Sequence, residues 1–89
     1  MKLEINKELV LSTAHISHET SKYIDASGWD ASSREYDHRL YTGNSFFLGD
    51  PNLPDELRSL LVLALSHDCR WLVLDRGGEV VNGLKLWNW

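Results

Sequence analysis

The chain is short of everything that staples or anchors a small protein. Its one cysteine, Cys69, permits no intrachain disulfide and no cysteine-rich zinc framework. A lone thiol beside a helix end reads as a small buried hydrophobe rather than a nucleophile. Long apolar runs are missing too: the longest, Leu60 to Leu65, is far too short to span a bilayer, so no membrane partner is expected. The N-terminal Met-Lys-Leu-Glu-Ile-Asn-Lys-Glu-Leu-Val interleaves charges with apolar residues and lacks the apolar stretch of a signal peptide. A cytoplasmic protein is the simplest expectation. Clustered positive charge is also absent. Lys and Arg are scattered singly and the net charge is −4, which disfavours direct binding to a nucleic-acid backbone. Neither an internal repeat, nor a low-complexity stretch, nor a linker long enough to separate two domains interrupts the sequence.

What remains is one domain spanning residues 1–89. Apolar residues make up 43% and charged residues 25%, enough to argue against disorder. Four tryptophans in so short a chain suit a compact core, an interface, or both.

Periodicity predicts the elements. Residues 8–16 alternate as a strand with apolar residues on both sides, which places it inside a sheet rather than at its edge. Ser17 reads as an N-cap, with a short helix from His18 to about Ala26 ended by Ser27-Gly28. Residues 35–42 alternate as a second strand. Gly43-Asn44 is a turn signal after which residues 45–48 return as a short hairpin partner. The main helix begins at Pro54, with Asp55 and Glu56 in its opening turn and a stripe of Leu57, Leu60, Leu61, Ala64 and Leu65. Val62 and Leu63 widen that stripe. Residues 69–75 form an apolar strand, Gly77-Gly78 a hairpin turn, and residues 80–87 the returning last strand. The expectation is an α+β fold: a small, mostly antiparallel sheet of four to five strands with two helices packed on one face, in the order β-α-β-(β)-α-β-β.

No constellation carries a reaction by spacing alone. His15 and His18 sit three apart beside Glu19, but one falls in the strand and the other at the helix start, without a shared face for a metal. A third ligand from His38 or His67 has no motif spacing. Ser12 and His15 have opposite strand parity. Thr13 and His15 share a face but lie about two residues' rise apart, too far for easy proton transfer. Gly77-Gly78 precedes no helix and is no phosphate loop. The reading is therefore a non-enzyme without cofactor or metal.

Two features suggest binding instead. Asp25, Asp30, Glu35 and Asp37 fall in and around a polar loop beside Trp29 and Tyr36. Such a loop could dock on a basic partner surface, with charge steering the encounter and the aromatics anchoring it. Trp87 and Trp89 share strand parity near the C-terminus. With Val62 and Leu63 they are candidates for a homodimer interface.

Leu-Ser-Thr-Ala-His-Ile-Ser-His-Glu-Thr (11–20), Leu-Pro-Asp-Glu-Leu-Arg-Ser-Leu-Leu (53–61) and Cys-Arg-Trp-Leu-Val-Leu-Asp (69–75) together resemble a family of small uncharacterised proteins from bacteria, phages and plasmids. Its members carry a Ser-Thr-Ala-His-Ile strand near the N-terminus and a domain of unknown function. The resemblance implies no catalytic residues. It implies a context, mobile-element counter-defence, in which small acidic proteins such as anti-CRISPR inhibitors cover a basic nucleic-acid-binding surface of a host complex. The expected partner is then a protein with such a surface, a CRISPR effector complex among them, met in the host cell cytoplasm. Two alternatives stand beside this one. The first is a small hydrolase or metal-dependent protein using His15 with Thr13, His18 or His38. The second is a structural homodimeric subunit.

Overall fold

Strand β1, Glu8–Ser12, opens the fold in the computed structural model, which describes residues 3, 7–32 and 37–88. It stops four residues short of the expected end because the Ser12 hydroxyl accepts from the N–H of Ala14 at 3.1 Å. That side-chain bond competes with the extended ladder and turns Thr13–His15 into a single 3-10 turn. Ser17 then caps helix α1, His18–Ser27, by accepting from the Thr20 N–H. Gly28 ends it in the left-handed conformation (φ 78°), which glycine adopts without steric cost.

Strand β2, His38–Tyr41, follows the loop. Residues 35 and 36 of the expected strand lie outside the described residues. Residues 45–48 correct the expectation of a hairpin partner. They form a short helix, α2 (Ser45–Leu48), because the Asn44 side chain accepts from the N–H groups of Phe46 and Phe47 and caps it. Helix α3, Asp55–Ser66, starts after Pro54 as expected, and β3, Trp71–Asp75, follows.

The sheet has three strands in the order β1-β3-β2 and is mixed, with β1 parallel and β2 antiparallel to β3. The expected four to five strands, mostly antiparallel, are not found among the described residues. Both flanks of β3 are taken, so residues 80–87 cannot fold back beside it as a hairpin. Instead the chain turns at Arg76 and Gly77 and crosses the end of β1. Only Glu79 pairs there, in parallel with Leu11, on the side of β1 away from β3. Gly78 makes this crossing possible: a Cβ there would sit 2.5 Å from the Leu11 carbonyl oxygen. Strand β1 therefore ends the three-stranded sheet, and β3 holds the interior position expected of β1.

Alternation sorts the strands into two faces. Leu11, Leu40, Leu72 and Leu74 point inward and share one core with Ile24 of α1, with Leu57, Leu60 and Leu61 of α3, and with Trp29 and Leu53. Burying each such leucine stabilises by about 1.5–3 kcal/mol. Val10, Arg39, Tyr41, Trp71 and Val73 occupy the other face. Among the described residues, no helix is long and apolar enough to cross a membrane.

Candidate functional site

His38 occupies an inward position of β2, next but one to the fully buried Leu40, and is itself 2% exposed. A buried imidazole needs partners for both nitrogens. Ser21, in the second turn of α1, supplies one: its Oγ lies 2.9 Å from Nε2. Asp30, on the loop after α1, supplies the other, with Oδ2 2.6 Å from Nδ1. A carboxylate only accepts, so Nδ1 donates to Asp30, and in the neutral ring Nε2 accepts the Ser21 hydroxyl proton. The second oxygen of Asp30 accepts the N–H groups of Ser32 (2.8 Å) and Arg39 (2.9 Å), which fixes the carboxylate against β2. Asp25 lies four residues after Ser21 and so on the same face of α1. Its Oδ1 is 3.9 Å from the same Nδ1.

The order serine, histidine, aspartate follows that of a nucleophilic relay. Ser21, however, is buried, and its N–H is bonded to the Ser17 carbonyl inside the helix, so it has no oxyanion donor of its own. The network joins α1, the following loop and β2. Among the described residues, Asp25, Asp30 and His38 are the group of three potential metal-ligating side chains.

His15 serves a different purpose from the one considered with Thr13 and His18. Its ring is 2% exposed, and Nδ1 donates to the Lys85 carbonyl at 3.0 Å while Nε2 accepts the Val81 N–H at 3.0 Å. Both nitrogens are committed to the backbone of the C-terminal segment. Thr13 is buried in the 3-10 turn and His18 is exposed at the start of α1.

Two of the five docking-loop candidates, Trp29 and Asp37, are buried. Trp29 is 5% exposed, stacks on Phe47 with ring centroids 4.7 Å apart, and donates its indole N–H to the Tyr41 carbonyl. Asp37 is buried and accepts the Arg76 N–H, tying β2 to the turn after β3. Asp30 is turned toward His38. Only Asp25 is well exposed, and Glu35 lies outside the described residues. The left-handed Gly28 turns the chain back onto the core and carries Trp29 inside. Of the candidate dimer residues, Val62 is exposed and Leu63 half-buried against the core. Trp87 is half-buried, with its backbone N–H on the Ala14 carbonyl (2.7 Å) and the Lys85 ammonium 4.0 Å over its ring. Trp89 lies outside the described residues.

The feature that residue patterns did not single out is the outer sheet face. Register aligns Glu8, Trp71 and Tyr41 in one row and Val10, Val73 and Arg39 in the next. Arg39 bonds Glu8 at 2.6 Å and lies 3.9 Å over the Trp71 ring, which packs against Tyr41 at 5.4 Å. Alternation alone identifies the outward residues of each strand. That they form one patch depends on which strands are neighbours.

A further pair ties the base of α1 to the loop before α3. Tyr23 donates its hydroxyl to Asp50 at 2.7 Å. Partial burial, then this bond and the nearby negative charge, push the phenol from its ordinary 10.0 up to about 12. The same bond, with the Asn52 N–H, holds the Asp50 carboxyl below its usual range.

The geometry defines an α+β domain with a small mixed sheet, one face packed on helices and the other open. The chain belongs to the DUF5983 family, described as a family of unknown function, C-terminal domain, whose model matches residues 8–89. No curated protein and no solved structure matches it.

Proposed function

We propose that the domain acts by stoichiometric protein–protein binding, with the outer face of the sheet as its docking surface. The observation that carries this reading is the patch of Val10, Tyr41, Trp71 and Val73 with Arg39 held across it. Val10 and Tyr41 are 40% and 39% exposed. Tryptophan, tyrosine and arginine are the residue types that dominate interface energetics. Here strand register and the Glu8–Arg39–Trp71 contacts hold them in place before any partner arrives, which lowers the ordering cost of binding.

The net charge of −4 favours a partner with a basic surface through steering of the encounter. The resemblance to mobile-element proteins narrows the proposal to counter-defence, with the Lys/Arg-lined groove of a CRISPR effector complex as the partner and no direct nucleic-acid contact. Steric blocking is the mode we favour. Asp30 and Asp37, which charge mimicry would need on the surface, are turned inward.

The test is capture from host lysate at low and high salt, comparing the native chain with Val10→Lys and Tyr41→Lys. Retention of a nucleoprotein complex by the native chain but not by the folded variants is expected. Equal retention by all three would sink the assignment of this face. Self-association is the second reading, favoured by Val62 and Leu65, which stand exposed on α3. A solution mass of two chains, lost in Val62→Lys, would support it.

A further inference from the structure

We propose that Asp25, Asp30 and Nδ1 of His38 form a site for a borderline divalent metal ion, with zinc the best match. This inference is independent of the docking face, since all three ligands belong to the α1–β2 side of the fold. Two kinds of side chain point to it. The imidazole is buried, which fixes where its nitrogen points, while Asp25 is two-thirds exposed and opens the cluster to solvent. A bare acidic patch has no such buried imidazole to fix the direction of a ligand atom.

The distances suit an ion with bonds of about 2.0–2.2 Å to nitrogen and oxygen. At a tetrahedral or octahedral centre, such ligand atoms lie roughly 3–3.5 Å from one another. Here the donor atoms lie within 4.8 Å of one another. Asp30 sits 2.6 Å from Nδ1 and Asp25 3.9 Å from it. The short separation is a hydrogen bond, which the ion would replace as the Nδ1 proton leaves to solvent. The long one closes by a rotamer change of an exposed side chain.

The remaining requirement is support for the ligands, and it is met on both sides. Asp30 keeps its other oxygen on the Ser32 and Arg39 N–H groups. Ser21 holds the far nitrogen of the ring. A hydroxyl can donate or accept, so Ser21 accommodates the tautomer with Nε2–H that a metal on Nδ1 demands. A mixed nitrogen and oxygen ligand set with an imidazole selects zinc and its neighbours over magnesium and calcium, which prefer all-oxygen sites. With three protein ligands the ion keeps a position for water.

Zinc titration of the whole chain by calorimetry, with magnesium and calcium alongside, reads the affinity. Nitrogen-15 spectra of the imidazoles read the site. Saturation at one zinc per chain is expected, with the His38 Nδ1 resonance moving and the other two cations leaving it in place. Asp25→Asn, whose side chain is exposed, should keep the fold and weaken zinc at least about tenfold, and Ser21→Ala about tenfold or more through ring orientation. Absence of zinc binding, zinc affinity unchanged in Asp25→Asn, or binding that leaves the His38 signals unmoved would each overturn the proposal.

Discussion

The backbone N–H of Val81 donates to Nε2 of His15 across 66 positions of sequence. The same ring returns a bond from Nδ1 to the carbonyl of Lys85. One side chain therefore satisfies a donor and an acceptor of a segment whose ladder contact with the sheet, among the described residues, is the one at Glu79. His15→Ala should leave both backbone groups without their partner and open a cavity beneath them. An orphaned buried group costs about 1–3 kcal/mol, so a loss of roughly 2–5 kcal/mol is expected in a urea melt. Faster hydrogen exchange at Val81 should accompany it. Wild-type stability in the variant would show that the segment is held by other contacts.

Glu56 makes a comparable link at the other end of the helical layer. From the first turn of α3 its carboxylate accepts the Ser17 N–H and the Thr20 hydroxyl, each at 2.7 Å, at the start of α1. Hydrogen bonds to a charged acceptor contribute about 1.5–3 kcal/mol each. Glu56→Ala should lower stability by about 2–4 kcal/mol, allowing for water at this half-buried site. The amide resonances of residues 17–20 should move most. Glu56→Gln, which keeps one acceptor oxygen, should recover part of the loss.

Trp29 separates a core role from a binding role. If it were a surface anchor, Trp29→Ala would leave stability within about 0.5 kcal/mol of the native value. Its burial against Phe47 instead implies a loss of about 3–5 kcal/mol, with Trp29→Phe costing less. Denaturant midpoints decide between the two.

The Tyr23–Asp50 bond gives the domain a pH signature at both extremes. The folded state raises the affinity of Tyr23 for its proton, so this contribution is complete below pH 10.0 and is lost as pH rises toward about 12. The folded state lowers the proton affinity of Asp50, so its contribution is present above the ordinary carboxyl range and is lost as pH falls through its depressed folded value. Tyr23→Phe should flatten the alkaline fall between those limits and reduce the acid-side dependence. Thermal melts across pH would reveal it, and an unchanged alkaline slope would count against the bond.

Local signals in the sequence are enough to place α1 and α3. Ser17 as a cap, Gly28 as a stop, Pro54 before α3 and the leucine stripe all act within a few residues of where they stand. The Asn44 cap of α2 acts just as locally, yet Gly43-Asn44 before an aromatic pair has the form of a hairpin turn. Sheet topology failed for a different reason. Gly77-Gly78 looks like a hairpin in any context, and nothing near it states that β1 and β2 already flank β3. The His38 cluster shows the same limit from the side of chemistry. Ser21 and Asp25 share a helix face at four-residue spacing, and His38 has inward parity. Their meeting with Asp30, however, depends on how the loop after Gly28 folds back. The loop acids show no partner in sequence, whereas Asp30 finds the His38 ring and the N–H groups of Ser32 and Arg39, and Asp37 finds the Arg76 N–H of a distant turn.

The parallel pairing of β1 with β3 sets an order on biosynthesis. Glu8 pairs with Trp71, and Leu11 waits also for Glu79. At ribosomal rates of about 5–20 residues per second, β1 is synthesised roughly 3–12 s before the strand that pairs with it. During that interval its apolar residues have no sheet to join. Helices α1 and α3 are built from local contacts, whereas the β1 pairings need β3 and then Glu79, from the far end of the chain.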